Sequence, residues 1–288
     1  VNSQEFVAKS AFVRFLFFAK PQTVVDCVAV TPSSTRDIFL RPFLRSCLSV
    51  VAIDLQEPFM DWRAPVMDYC ERQSSAFWAE PANALSNFAF VLAAASAFLL
   101  WRRRGGADYP ALALIIVTAS VGVGSFIFHT VATRGAMLLD VVPIAIFIYG
   151  YFLLALRRYF RLSIVWATAI TLGFAALSFF ATTVDALNGS VGYLPALAAL
   201  AIFAALLWTS RRETGRTLAA AALLFAISLV FRTIDRVICP AFPLGAHVLW
   251  HMLNACVLWL LLRAAIFVGP RPDDQATPIQ NANEPTAA

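Results

Sequence analysis

"FVLAAASAFLLWRRRGGADYPALALIIVTASVGVGSFIFHT", residues 90–130, sets two apolar runs on either side of a triple arginine. Each run belongs to a stretch long enough to cross a hydrocarbon layer of about 30 Å as a helix rising about 1.5 Å per residue. A helix is the natural form, because hydrocarbon offers backbone N–H and C=O groups no other partner. The second run ends in a histidine, a side chain that the same solvent disfavours.

Outward from this stretch the pattern repeats. Seven spans are predicted at 83–101, 110–131, 136–156, 162–181, 191–209, 216–235 and 244–267. The composition agrees: 60% of residues are hydrophobic, 14% are charged, and the mean hydropathy is +0.74. A soluble domain carries about a quarter charged residues, so a water-facing surface is excluded. The expected fold class is an all-α membrane protein, a seven-transmembrane helix bundle. No RNA-binding motif, zinc finger or glycine-rich phosphate loop is present, so the net charge of +5 reads as topology and no nucleic-acid partner is expected.

The arginines set the orientation. The first, third and fifth loops hold Arg102, Arg103, Arg104, Arg157, Arg158, Arg161, Arg211, Arg212 and Arg216; the second, fourth and sixth hold Arg134 and Arg236. Nine against two places the odd loops in the cytoplasm. The N-terminus is then outside and the C-terminus cytoplasmic. Residues 60–82 form an extracytoplasmic segment, 83–268 the seven-helix domain, and 269–288 a disordered tail rich in Pro, Asp, Gln and Asn. Residues 1–59 contain no run long enough to span. The chain opens on Val, and no Met precedes Met60. That predicts translated sequence upstream of a start at Met60 or Met67, with a genuine, poorly ordered extension as the alternative.

His129, His247 and His251 are all the histidines of the chain. His247 and His251 are four apart and share a helix face, as do Ser125 and His129. Asp140 returns to a similar depth on the next span. All five residues therefore converge near the outer leaflet. Three neutral imidazoles suit Zn²⁺, whose catalytic sites take three protein ligands and leave a fourth position for water. The alternative is three separate histidines bonded to backbone. The spacing is not HExxH, since Val248 follows His247, which leaves Asp140 as the candidate base. Asp68, Glu71, Gln73 and Glu80 crowd hard oxygens before the first span, a composition suited to Ca²⁺; by spacing alone a solvated acidic cap is favoured. Of five cysteines, Cys70 and Cys239 fall on the outer side, where a disulfide is permitted. Cys256, in the seventh span, reads as packing.

"DYCE" before "WAEPANALSN", "GSFIFHT" followed by "LLD", "FRTIDRVIC" and "HVLWH" together resemble the alkaline ceramidases, seven-helix zinc hydrolases related to the adiponectin receptors, in a bacterial-type member. The resemblance covers about residues 66–265. It implies Zn²⁺ on His129, His247 and His251, proton handling by Asp140, and a water or oxyanion contact from Ser125. It also implies Ca²⁺ on Asp68, the Tyr69 carbonyl, Glu71, Gln73 and Glu80, and a bridge between Cys70 and Cys239. Gln73 stands where animal ceramidases carry Asn, and the stretch to Glu80 is shorter by two residues. The expected activity is zinc-dependent hydrolysis of the N-acyl bond of ceramide or a similar lipid, with the substrate reaching the site from the membrane. The expected location is a bacterial inner membrane, with the site toward its outer face. The alternatives are a receptor-like protein with structural zinc and a lipid esterase or phospholipase on the same fold.

Overall fold

The structure, a computed structural model, describes residues 61–184 and 186–270. The extension at 1–59, a start at Met60 and the tail beyond Pro270 lie outside the described residues. Among the described residues eight α-helices follow in order: α1 Pro81–Ser86, α2 Phe88–Arg103, α3 Tyr109–Val131, α4 Arg134–Tyr159, α5 Ile164–Thr182, α6 Leu194–Leu207, α7 Arg212–Ile238 and α8 His247–Val268, with a 3₁₀ segment, Leu187–Tyr193, leading into α6. No strand occurs among the described residues; one isolated bridge pairs Pro65 with Thr133.

Taken as continuous spans, these make seven segments long and apolar enough to cross a membrane. Each overlaps one of the seven predicted runs, so the chain is an integral, multi-pass membrane protein. The first span begins at Pro81 and tightens at Asn87, whose N–H bonds back to Ala84 O. The fifth begins in the 3₁₀ segment, where Asn188 and Gly189 have left-handed φ values of 52° and 74°.

Side-chain caps set several of the helix starts. Asp108 accepts from Ala111 N at α3, Thr133 from Ala136 N at α4, and Ser163 from Trp166 N at α5. Each satisfies one of the N–H groups that a helix start leaves unpaired. The burial pattern suits a lipid solvent. Leu92, Val165 and Trp166 are exposed, while Glu80, Asn83, Asn87, Asp235 and the three histidines are buried. Small residues such as Ala97, Ala111 and Ala155 are buried between the helices and allow close approach.

The segment before α1 folds back over the bundle. Val66 N donates to Ala132 O (2.8 Å), Arg134 N to Ala64 O (3.1 Å) and Gly135 N to Trp62 O (2.9 Å). These bonds fix it on the α3–α4 turn, at the histidine end. Cys256 corrects the packing expectation: its position on α8 faces outward, and it is a free, exposed cysteine.

Candidate metal centre

His129 sits in the last turn of α3, and His247 and His251 in the first two turns of α8. All three are buried, and one ring nitrogen from each lies within 4.8 Å of the others. Ring centroids are 4.5 Å apart for His247–His251, 4.9 Å for His129–His251 and 5.3 Å for His129–His247.

The hydrogen bonds decide which nitrogens face inward. His129 Nδ1 lies 2.6 Å from Glu80 Oε2, so Nδ1–H donates to the carboxylate. Its Nε2 is buried with no hydrogen-bond partner. His251 Nδ1 lies 2.7 Å from Ser86 Oγ. The one proton of that hydroxyl goes to Asn83 O (2.8 Å), so Ser86 accepts from His251 Nδ1–H. Both rings thus turn an Nε2 lone pair toward the cluster. Buried lone pairs facing one point, with the opposite N–H groups tied down, fit a divalent metal.

His247 is placed through Asp235 on α7, a buried carboxylate. Asp235 accepts from Ala246 N (2.7 Å), His247 N (3.0 Å) and Cys70 N (3.2 Å). A carboxylate at a helix N-terminus is favoured by the free N–H groups and the helix dipole. Gly245 makes this possible: its φ is +71°, and a Cβ there would collide with Asp235 and Cys70. The Cys70–Cys239 disulfide, with a Cα–Cα separation of 5.3 Å, ties the same segment to the end of α7. It is the pairing that the resemblance implied.

Tyr69 lies across the cluster, its ring centroid 4.1 Å from that of His247 and 4.9 Å from that of His129. Its side chain meets the histidine cluster, and its carbonyl accepts from Arg72 N (3.3 Å). Burial pushes its phenol well above the usual range, Arg232 opposes that, and the charge of Asp140 adds to it. Asp140 is therefore within electrostatic reach of the ring that touches two histidines. Ser125 is buried one turn before His129. A close helix contact sets both residues: a Cβ on Gly124 would overlap the Leu139 carbonyl, so α3 and α4 touch backbone to backbone beside Ser125 and Asp140.

The five calcium candidates fare differently. Glu80 is taken up by Arg72, His129 and Asn83. Burial favours its protonated form, but the hydrogen bonds from His129, Arg72 and Asn83 outweigh this and hold its carboxyl below the usual range. The Glu71 carboxylate caps α1, accepting from Ala82 N (2.7 Å) and Asn83 N (2.8 Å). The Gln73 amide nitrogen donates to Cys70 O (2.5 Å). Among the described residues the three histidines are the only group of His, Cys, Asp or Glu side chains arranged to hold a metal. Asp68, Glu71 and Glu80 do not come together as a group of side chains arranged to hold a metal.

Sequence reasoning missed Arg72, Ser86, Asp235 and Gly124. Ser86 follows Asn83 by three residues, on the polar face of α1 that the sequence does display. Asp235 is an acidic residue inside an apolar run, which is itself a functional signal.

A buried histidine cluster at one end of seven spans defines a membrane protein with a centre that could hold a metal ion. The ceramidase family model matches residues 64–275, and the chain belongs to that family. None of the curated proteins matches it. Membership makes the protein a hydrolase of amide bonds, with ceramide hydrolysis as the family's activity.

Proposed function

We propose that this protein is a zinc-dependent intramembrane amidase. It cleaves the N-acyl bond of ceramide, or of a similar N-acyl lipid, to a free fatty acid and a sphingoid base or amine. The observation that carries this reading is the inward-facing Nε2 of His129, buried without a partner within 4.8 Å of nitrogens from His247 and His251.

His129, His247 and His251 hold the zinc, which supplies Lewis acidity that acidifies water and polarises a carbonyl. Glu80 and Ser86 orient two of the imidazoles through Nδ1–H. Asp140 takes the proton of the attacking water and delivers it to the departing amine nitrogen, as a general base and then a general acid. Ser125 donates its hydroxyl proton to the oxyanion of the tetrahedral intermediate, a contact worth roughly 3 kcal/mol in other hydrolases. The lipid tail lies in an apolar pocket next to the cluster. Phe90, whose ring is 6.3 Å from that of His251, and Trp250 both line it, together with Phe147, Tyr151 and Phe203 deeper in the bundle. The positive-inside pattern of the arginines supports a histidine end on the outer face of the membrane, a bacterial inner membrane in this reading, with the substrate arriving laterally from the outer leaflet.

The test is purification with metal analysis, followed by incubation with ceramides, other N-acyl lipids and phospholipids while fatty-acid release is measured. Zinc near one equivalent and release from ceramide support the proposal. Release from phospholipids alone refutes the amide specificity, and full activity in zinc-free protein refutes the zinc.

A further inference from the structure

The Ca²⁺ that the resemblance implies does not fit, because a tethered cation, Arg72, already holds Glu80, one of its five expected ligands. The Arg72 side chain is wholly buried. Its Nε donates to the Glu80 carboxylate. Nη1 donates to Ser74 O (3.2 Å) and Ala76 O (3.3 Å), and Nη2 to His129 O (2.8 Å). One guanidinium thus gathers a carboxylate and three carbonyls, the kind of hard-oxygen set that otherwise suits Ca²⁺. Glu71 already spends both carboxylate oxygens on the N–H groups of Ala82 and Asn83.

We propose that Arg72 is a built-in replacement for the structural calcium and acts as a positioning residue for His129. It holds that residue from two sides. It binds the His129 carbonyl directly, one of the four that a helix C-terminus leaves unpaired and where a cation is favoured. It also fixes Glu80, whose other oxygen receives His129 Nδ1–H. A dication brought to Glu80 meets a tethered positive charge that cannot diffuse away. The role of the guanidinium as a positioning device rests on the reading of His129 as a metal ligand; the replacement of calcium does not.

The test uses the full chain purified in detergent. Calcium binding is measured by titration calorimetry on chelator-treated protein. Tm and activity are followed in EGTA and in excess calcium, with zinc content measured alongside so that stripping of zinc is read as such. The expected result is no calcium binding, and a Tm and turnover unchanged between EGTA and calcium at constant zinc. A Tm or activity that falls in EGTA and returns with calcium at constant zinc overturns the proposal. Arg72→Ala should lose about 10–100-fold in zinc affinity or in kcat, the usual cost of removing a group that orients a metal ligand, with KM little changed. Arg72→Lys should recover only part, since an ammonium lacks the planar fork, and millimolar guanidinium ion should restore Arg72→Ala. Wild-type zinc affinity and kcat in Arg72→Ala overturn the positioning role. If Arg72→Ala fails to fold, the calcium titration of the wild type still decides the replacement, and Arg72→Lys decides the positioning role. Absence of ceramide hydrolysis in the wild type refutes the proposed substrate and leaves the calcium and Tm results intact as a test.

Discussion

Two buried guanidinium–carboxylate pairs lie at opposite ends of the bundle, with similar chemistry and different company. At the far end Arg158 meets Asp108 through two bonds of 2.8 Å, and Arg158 also reaches Ala265 O at 2.7 Å. Asp108 caps α3 and its carbonyl accepts from Trp101 Nε1. All of these partners are scaffold, and the pair locks α2, α3, α4 and α8 together. Arg72 and Glu80 make a pair of the same type, but they lean on His129 through its ring and its carbonyl. The pair chemistry alone therefore says little about role. What the pair touches next separates a strut from a part of the site.

The largest test of this contrast is made at the histidine end. His251→Ala should lose metal and turnover together, because two protein ligands remain. Asp140→Asn should keep the metal while turnover falls by about 10²–10⁴-fold. If Asp140→Asn releases metal as readily as His251→Ala, Asp140 is a fourth ligand and the centre is closed and structural. At the far end, Arg158→Gln should destabilise by about 3–5 kcal/mol, since it leaves Asp108 buried and unpaired. Its kcat and metal content should match the wild type at any temperature where it stays folded; a collapse of kcat in folded Arg158→Gln would erase the distinction between the two ends. Replacing Cys70 and Cys239 by Ser together should cost about 2–4 kcal/mol, because the bridge closes a long loop, and a reductant should lower the wild-type Tm to match. Gly124→Ala should cost about 1–3 kcal/mol by overpacking. It should also reduce turnover more than that loss alone accounts for, because α4 must shift beside Asp140; wild-type kcat in this variant would show that the helix contact serves packing only.

The parts of this molecule that read well from sequence are those written in periodicity or rarity. A run of some twenty apolar residues has one solution in a bilayer, so the spans agree with the structure to within a few residues. Three histidines, two of them four apart, can be placed by counting turns. Arg72 could not be placed that way. Its neighbours Ser74 and Ala76 bind it through carbonyls, and its link to His129 spans 57 positions from the irregular segment before α1. The crowd of Asp68, Glu71, Gln73 and Glu80 looked like an oxygen cage because composition counts charges without saying where they point. Asp235 and Gly124 escaped notice for a related reason. Each matters through backbone groups of another helix, and backbone groups carry no sequence label. The span that Cys256 occupies suggests packing, while its position on the helix circumference turns it outward.

The site is also assembled late. His129 lies on the second span and His247 and His251 on the seventh, so at about 5–20 residues per second the ribosome delivers the first imidazole on the order of ten seconds before the last. Through that interval Glu80, Arg72 and His129 must sit at the membrane without their final neighbours. Their place at helix ends, rather than at mid-span, keeps them within reach of water while they wait. A metal held by all three histidines could be loaded only after α8 has inserted.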